Sequence, residues 1–219
     1  GIANDIGEPP NIFDAYDPRS LYHAKNNSFP DENDLIKNVE KFYNKLLKHN
    51  VEILRPENIP NCNQIFTRDL GFVISNIFFI SNIVPARQDE IQGIENIIKN
   101  LDVGVIKLPE FMHIEGGDVV LHNGKLFIGT YLDANYSSLI TARTNIESIE
   151  YLKKMLPNIE IIPIEIKKSN TNIFENTLHL DCCFQTIGLD KAIICPDGFK
   201  NKEDSEFLIN FFGRKNVFL

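Results

Sequence analysis

A chain of 219 residues with 43% hydrophobic and 24% charged residues has the composition of an ordinary globular protein, large enough for one large or two small domains. Its formal net charge of −8 disfavours a nucleic-acid surface, and no apolar run reaches the roughly 18 residues that a membrane-spanning helix needs. The four cysteines, of which Cys182 and Cys183 are adjacent, match neither a disulfide framework nor a C-x-x-C metal site. We therefore expect a cytoplasmic protein with reduced thiols that binds neither nucleic acid nor membrane, while the start at Gly1 leaves a leader peptide open.

Apolar residues recur in the order strand, strand, helix, strand three times along the chain. A partial unit comes first, with an amphipathic helix at 32–50 and a closing strand at 51–54. The first complete unit has strands at 72–74 and 78–83, a helix at 89–100 and a strand at 103–106. The second has strands at 119–121 and 126–128, a helix at 145–155 and a strand at 159–164. The third has strands at 178–184 and 192–195, a helix at 203–212 and a strand at 217–219. In the second unit, the pair Asn123-Gly124 predicts a type I′ hairpin turn.

Each unit has one apolar sheet face and one apolar helix stripe, which neighbouring units must cover. Radial repetition also protects the edges of the strands. We therefore expect an α/β fold in which ββαβ repeats form a propeller, although the periodicity alone fits an open stack of α+β sheets equally well. The helix at 32–50 has no hairpin before it, which predicts that the opening hairpin of its unit is missing from the chain.

Polar strings open the three complete units at matching positions. They are Asn63-Gln64-Ile65-Phe66-Thr67-Arg68-Asp69, His113-Ile114-Glu115-Gly116-Gly117-Asp118 and His179-Leu180-Asp181. Strand ends that point to a common axis would bring five of these side chains together, namely Asp69, Glu115, Asp118, His179 and Asp181. Several buried carboxylates around one imidazole disfavour an anion and favour a planar cation, since a guanidinium presents its N–H donors in a fixed fork. We therefore expect a guanidinium-like small molecule as the ligand.

His179 is the residue type suited to proton transfer, because an imidazole titrates near neutral pH without a large pKa shift. Glu115 would orient the ring and favour the imidazolium, in the way that the third group of a catalytic triad does. The other histidines are interpreted as structural residues: His23, His49, His113 and His122.

The strings F-T-R-D (66–69), E-G-G-D (115–118) and H-x-D (179–181) resemble, in this order, those of the amidinotransferase, arginine deiminase and dimethylargininase superfamily. The resemblance spans most of the chain and implies the pentein fold, a five-bladed propeller of ββαβ units. Residues 1–219 would then form one incomplete pentein domain without the first hairpin and the last blade. The implied chemistry needs no cofactor and no metal. A cysteine thiolate attacks the guanidino carbon, ammonia or an amine leaves, and water or an acceptor amine resolves the amidino-thioether.

By motif position, the resemblance makes Glu115 the carboxylate partner of the histidine and His179 the general acid and base. Asp69 and Asp181 would hold the guanidinium nitrogens, with Asp118 in the same substrate-binding group.

Arg68, Arg87 and Arg143 resemble the arginines that grip the substrate carboxylate in arginine deiminases, and Asn63 fits the same group. For Arg87 and Arg143, solvated arginines at helix starts are an equal alternative.

The chain departs from the superfamily because no cysteine occupies the place of the nucleophile, a Gly-rich loop of the last blade. We expect that cysteine beyond Leu219 and interpret Cys182 and Cys183 as small buried core residues.

Three questions stay open at this point. A metal site formed by His113, Glu115, Asp118 and His122 is an alternative, although Gly116-Gly117 interrupts the strand geometry that would align them. A non-catalytic pentein that binds a ligand or a protein partner is another. Within the enzyme class, deimination of arginine or hydrolysis of a methylated arginine is preferred over amidino transfer, and a homo-oligomer is compatible with all of these.

Overall fold

The computed structural model describes residues 1–219, which form five α-helices and nine β-strands. The helices are α1 (Pro18–Asn26), α2 (Glu32–Leu47), α3 (Glu95–Asn100), α4 (Ile146–Met155) and α5 (Lys202–Phe212). The strands are β1 (Gly71–Ile74), β2 (Ile77–Ile80), β3 (Gly104–Lys107), β4 (Val119–His122), β5 (Lys125–Thr130), β6 (Glu160–Glu165), β7 (Phe184–Ile187), β8 (Lys191–Ile194) and β9 (Val217–Phe218). None of the helices has both the length and the apolar character that crossing a membrane requires.

The strands form three sheets of three strands each, in the orders β1-β2-β3, β4-β5-β6 and β7-β8-β9. In every sheet the first two strands are antiparallel, and the third is parallel to the middle one. A helix connects the second and third strands of each sheet: α3, α4 and α5, respectively. The prediction of three ββαβ units is therefore confirmed.

The hairpin of the second unit turns at the predicted pair. Asn123 and Gly124 both have positive φ, at 47° and 74°, which is the backbone conformation that a type I′ turn requires. The turn sets the register of β4 against β5, in which Val119 lies opposite Ile128. This register determines which side chains of the hairpin face each side of the sheet.

The middle sheet contributes to two separate apolar cores, because successive side chains of a strand point to opposite faces. Val119, Leu126 and Ile128 pack in a cluster with residues of β1, β2 and α4. Val120 and Phe127 pack in a second cluster with residues of β7, β8 and α5. Fully burying one such side chain contributes about 1.5–3 kcal/mol. The three units are therefore stacked through their sheets, with the middle unit between the other two.

The prediction of a strand at 51–54 was wrong. These residues form no strand, because no neighbouring strand supplies hydrogen-bond partners for their backbone, and Leu54 is 54% exposed. The helix before them is present as α2, with Asp31 as its N-cap, but none of its side chains is buried.

Two further elements differ in kind from their predictions. The predicted strand at 178–184 is a 3-10 turn at Leu180–Cys182 followed by β7, because the backbone N–H of Leu180 donates to the carboxylate of Asp118 at 2.9 Å instead of to a strand. The helix predicted at 89–100 begins earlier, as a 3-10 helix over Pro85–Ile94. In a 3-10 helix, side chains three residues apart lie above one another. The buried ion pair of Arg87 and Glu90 has this spacing.

Candidate active site

The three polar strings lie side by side in the structure. Each overlaps a short 3-10 turn at the opening of its unit, and the turn of the second unit packs against the other two: Thr67–Leu70, Gly116–Asp118 and Leu180–Cys182. Residues far apart in the sequence thereby share one buried region.

Gly117 allows this close approach. A Cβ atom at Gly117 would lie 2.7 Å from the imidazole of His179 and 2.8 Å from the carboxylate of Asp69. A Cβ atom at Gly116 would lie 2.1 Å from the backbone oxygen of Arg68. The glycine pair is therefore a packing requirement, since any side chain there would separate the three turns.

His179 lies between two carboxylates and is 4% exposed. Its Nε2 is 2.8 Å from Oε2 of Glu115, and its Nδ1 is 3.5 Å from Oδ1 of Asp69. Burial on its own lowers the pKa of His179, but the hydrogen bond to Glu115 and the negative charges of Asp118 and Asp69 outweigh it and raise the pKa above 6.5. The surroundings therefore favour the imidazolium form of the ring, with Nε2 engaged by Glu115.

Glu115 is fully buried and is held from two sides. Nη1 of Arg143 lies 2.9 Å and 3.2 Å from its two oxygens, and the backbone N–H of Val84 donates to it at 3.3 Å. Burial raises the pKa of Glu115, whereas the hydrogen bond from His179 and the charge of Arg143 lower it. The lowering effects are larger, and the pKa is about 2. Glu115 is therefore ionised at any physiological pH.

Arg87 is buried, and all three nitrogens of its guanidinium donate to protein groups. Nε and Nη2 form a two-pronged pair with Glu90 at 2.6 Å and 2.9 Å, and Nη1 donates to Asp69 at 2.7 Å. Nη2 also donates to the backbone oxygen of Phe66 at 3.3 Å. These bonds use four of the five N–H donors of Arg87, so the protein groups leave one N–H of Nη1 for the predicted grip on a substrate carboxylate. Glu90 was missed in the sequence because its only signal is its spacing of three residues from Arg87.

Asp118 is buried, and both of its oxygens accept hydrogen bonds from the protein. The hydroxyl of Thr144 donates at 2.6 Å and the backbone N–H of Leu180 at 2.9 Å. Burial raises the pKa of Asp118, with the charge of Lys168 opposing it. In this structure Asp118 ties the second unit to the turn that carries His179, rather than pointing a free oxygen at a ligand.

Asp181 and Arg68 lie at the outer side of the cluster. Their side chains are 25% and 48% exposed, and Nε of Arg68 is 3.5 Å from Oδ2 of Asp181. Nη2 of Arg68 also donates to the backbone oxygen of Val119 at 2.7 Å. Asn63 lies apart from them, and its side-chain oxygen accepts from the backbone N–H of Ile65 at 3.2 Å. Asp181 is thus a carboxylate accessible to a ligand, and its pKa is raised by burial.

Two buried donors of the segment 136–143 have no hydrogen-bond partner in the protein: Nη2 of Arg143 and the hydroxyl of Tyr136. Arg143 is 2% exposed, and its guanidinium also lies 5.9 Å from the ring centroid of Tyr16. Lys168 is nearby, and its ammonium donates to the backbone oxygen of Leu178 at 2.6 Å. Tyr136 and Lys168 were missed in the sequence because neither belongs to a motif or to the opening of a unit.

The site contains one group with metal-ligand chemistry, formed by Asp69, Glu115 and His179, whose ligand atoms lie within 4.8 Å of one another. A cation there would face the guanidiniums of Arg87 and Arg143, which already neutralise the two carboxylates. The four-residue group considered from the sequence is not assembled, because His122 packs on the ring of Phe212 with centroids 5.0 Å apart. The paired carboxylates therefore disfavour a metal ion at this group.

The four cysteines are free thiols. Burial raises the pKa of Cys62, Cys182 and Cys183, and neighbouring carboxylates or thiols raise these pKa values further. Cys183 is buried, whereas Cys182 and Cys195 are exposed. The interpretation of Cys182 as a buried core residue was therefore wrong, because its turn faces outward where a strand was expected.

Three ββαβ units whose opening turns meet at a buried histidine and several carboxylates define a pentein fold of the amidinotransferase superfamily. Within that class, the sequence model of the family described as N,N dimethylarginine dimethylhydrolase, eukaryotic, matches residues 20–217, and the chain belongs to this family.

Among curated proteins, the chain is 31% identical over 172 residues to the uncharacterized protein YkgA of Bacillus subtilis (strain 168). The match covers 76% of this chain and 54% of YkgA, so the chain spans about half the length of that relative.

Solved structures share the fold at low sequence identity. The product-bound N-terminal domain of ArgZ, an arginine dihydrolase from the Ornithine-Ammonia Cycle in Cyanobacteria, superposes with a TM-score of 0.69 at 17% identity over 85% of this chain and 63% of that one. A dimethylarginine dimethylaminohydrolase variant carrying an adduct with S-methyl-L-thiocitrulline gives a TM-score of 0.62 at 16% identity over 86% of this chain and 66% of that one. These similarities establish the shared fold.

Proposed function

We propose that this chain forms most of the active site of a hydrolase that acts on the guanidino group of arginine or an arginine derivative. The observation that carries the proposal is the position of His179, with Nε2 on Glu115 and Nδ1 facing Asp69. A buried histidine that one carboxylate orients and that faces a second can exchange a proton with a cationic ligand bound by the carboxylates beside it.

The guanidinium subsite in this proposal lies beside Asp69 and Asp181. Three carboxylates surround this side of the cluster, Asp69, Asp181 and Glu90, against the two guanidiniums of Arg68 and Arg87. Asp181 is the accessible carboxylate of this side, and a substrate guanidinium can form charge-assisted hydrogen bonds to it.

The proposed reaction has two steps. A thiolate sulfur attacks the guanidino carbon and forms a C–S bond, and the C–N bond to the leaving nitrogen breaks as that nitrogen takes a proton from Nδ1 of His179. Water then attacks the amidino carbon, His179 takes a proton from it, and the C–S bond breaks to release the ureido product and the thiolate. The balance is guanidino compound plus water giving ureido compound plus ammonia or an amine.

Relatives of known chemistry support this reaction class. ArgZ is an arginine dihydrolase, a variant of its N-terminal domain is covalently bound to a reaction intermediate, and the dimethylarginine dimethylaminohydrolase carries an adduct. For this chain we propose hydrolysis, with L-arginine and asymmetric dimethylarginine as the substrates to compare, and amidino transfer to an acceptor amine as the competing outcome. The free cysteines suit the reducing cytoplasm, where we propose that the protein acts.

We also propose that the nucleophilic thiolate comes from outside residues 1–219. The raised pKa values of Cys62, Cys182 and Cys183 oppose the thiolate form, and Cys195 lies at the end of β8 on an exposed surface. The same observation favours a second candidate function, a pentein that binds a guanidino ligand without turnover.

Binding of guanidino compounds tests the proposal. Isothermal titration of the 219-residue chain with L-arginine, asymmetric dimethylarginine and L-lysine should show binding of the first two and much weaker binding of lysine, whose ammonium lacks the planar fork. His179→Gln should weaken arginine binding, whereas His113→Gln, at an exposed histidine, should not. Equal binding of lysine and arginine, or no binding of either, would contradict the proposal.

A further inference from the structure

We propose that a cavity in the first unit is a second binding site, which takes an uncharged small molecule with an apolar chain and one hydroxyl or amide group. The cavity has a volume of about 710 Å³ and is lined by β2, β3, α3 and the 3-10 helix before α3. Sites for small molecules typically have volumes of about 300–1,000 Å³. The inference is independent of the proposed function, because no residue of the cluster around His179 lines this cavity.

The short helix of the first unit leaves this space open. In the second unit, α4 has 10 residues, and its side chains pack in one cluster with Ile161 of β6, which is 9% exposed. Val105 is the equivalent residue of β3, since it pairs with the second residue of β2 as Ile161 pairs with the second residue of β5. In the first unit, α3 has only 6 residues, and Val105 is 44% exposed. The space that α4 covers in the second unit is therefore accessible to a ligand in the first.

Much of the lining of this cavity is apolar. Strands, helices and the turns between them contribute these side chains, which include Ile80, Ile83, Ile91, Ile98, Leu101 and Val105. Removing an apolar chain from water is favourable, roughly in proportion to the apolar area that is covered. An apolar ligand chain would therefore bind along this surface.

Ser81 adds an unsatisfied polar group to the apolar lining. The residue is 1% exposed, and its hydroxyl has no hydrogen-bond partner in the protein. Buried polar groups are nearly always hydrogen-bonded. The side-chain amide of the neighbouring Asn82, by contrast, donates to the backbone oxygens of Leu108 and Met112. The hydroxyl of Ser81 can both donate to and accept from a hydroxyl or an amide, so either group of a ligand would satisfy it.

The charges of the lining cancel one another. Two acids and two lysines contribute to it: Glu95, Glu110, Lys99 and Lys107. Lys99 already forms an exposed ion pair with Glu95 at 3.4 Å. A charged ligand group would lose hydration on entering the cavity and would find no net opposite charge there. The lining therefore favours an uncharged ligand.

The test uses 1-octanol, octanoate and octylamine as probes of the 219-residue chain. The three compounds have apolar chains of similar length and differ in the charge of the polar group. Isothermal titration should show saturable binding of 1-octanol and roughly 10-fold weaker binding of both charged compounds. Because 1-octanol binds the folded state, it should also raise the melting temperature.

A tryptophan variant tests the location of the site. In Val105→Trp the indole would occupy the cavity, so binding of 1-octanol should be lost. Val73→Trp is the matched control, because Val73 is a 49% exposed valine of β1 in the same sheet and does not line the cavity. Both variants should keep a melting temperature close to that of the native chain, since both valines are exposed. No saturable binding of 1-octanol to the native chain, or equal binding to the two variants, would overturn the site.

Ser81→Ala tests the polar contact. Loss of one neutral hydrogen bond should weaken 1-octanol binding about 2- to 10-fold. The melting temperature of the free variant should be equal to that of the native chain or higher, since the hydroxyl that is removed has no partner. An unchanged affinity for 1-octanol would overturn the role of Ser81. Equal affinities of the native chain for 1-octanol and for either charged compound would overturn the assignment to an uncharged ligand.

Discussion

Glu115 and His179 are joined by a 2.8 Å hydrogen bond although 64 positions separate them in the sequence. The bond links the opening turn of the second unit to that of the third, and it lies next to the glycine pair that lets the turns meet. Most of the testable consequences of the structure depend on the charges that surround this pair.

The protonation of His179 should depend on Glu115. The pKa of His179 is raised above 6.5, so in the native protein the ring stays protonated at pH values where an ordinary histidine is neutral. Glu115→Gln removes the hydrogen bond and the charge that raise this pKa, and burial, which lowers it, then acts with less opposition. NMR titration of the imidazole should show a lower pKa in the variant. A histidine that titrates at the same pH in both proteins would contradict the role of Glu115, and the exposed His49 provides an internal reference.

The raised pKa of His179 also predicts how the stability of the protein depends on pH. The pKa of His179 is raised in the folded state, so its stabilising contribution is fully present below pH 6.5 and is lost as the pH rises through the folded-state pKa. The difference in unfolding free energy between the native chain and His179→Gln, measured by urea denaturation, should therefore shrink towards alkaline pH. A difference that grows with pH would show that the ring is buried in its neutral form.

Asp181 should contribute to guanidinium affinity. Asp181→Asn removes one charge-assisted hydrogen-bond acceptor and should weaken agmatine binding by about 1.5–3 kcal/mol, without a large effect on stability since the side chain is 25% exposed. Asp190→Asn, at an exposed carboxylate between β7 and β8, is the control. Unchanged agmatine affinity in Asp181→Asn would remove this residue from the guanidinium subsite.

The main role of Arg87 should be to stabilise the fold. Arg87→Met leaves the carboxylates of Glu90 and Asp69 buried without their partner, which should lower the free energy of unfolding by about 3–5 kcal/mol. Adding Glu90→Gln to this variant should restore part of the loss. By comparison, Arg55→Met removes a partly exposed ion pair with Glu40 and should lower the free energy by at most about 1 kcal/mol. Similar losses in urea denaturation for Arg87→Met and Arg55→Met would contradict this assignment.

The chain should bind arginine without releasing ammonia. Acid and base groups alone contribute typically about 10²–10⁴-fold to a rate, well short of the 10⁶-fold or more that is typical of enzymes. An ammonia assay on the 219-residue chain should therefore show no clear turnover, and Cys182→Ser and Cys183→Ser should bind arginine as the native chain does. Turnover that disappears in either variant would identify that cysteine as the nucleophile.

The sequence predicted the repeats well because local patterns determine them. Alternating apolar residues, the Asn123-Gly124 turn and the helical stripes each carry their own signal, and all three ββαβ units are present. The strand at 51–54 was mispredicted because a strand needs a neighbouring strand as its hydrogen-bond partner. The sequence pattern of one segment does not show whether that neighbour is present.

The site was harder to predict because its electrostatics are set by tertiary contacts. The motif residues Asp69, Glu115 and His179 could be named from their strings. The engagement of Arg87 by Glu90, the orphan donor of Tyr136 and the buried ammonium of Lys168 depend on how loops and turns pack. Nothing in the spacing of these residues indicates which arginine has a free nitrogen.

The two-faced packing of the middle sheet has a consequence for folding cooperativity. Phe127 and Ile128 are neighbours in the chain but belong to different cores. The second unit therefore couples the folding of the first unit to that of the third, as adjacent repeats do in repeat proteins. Each unit also contributes one turn to the site. Local unfolding of any one unit should therefore abolish ligand binding. When arginine is bound, the protection of β1, β5 and β8 from amide hydrogen exchange should rise together.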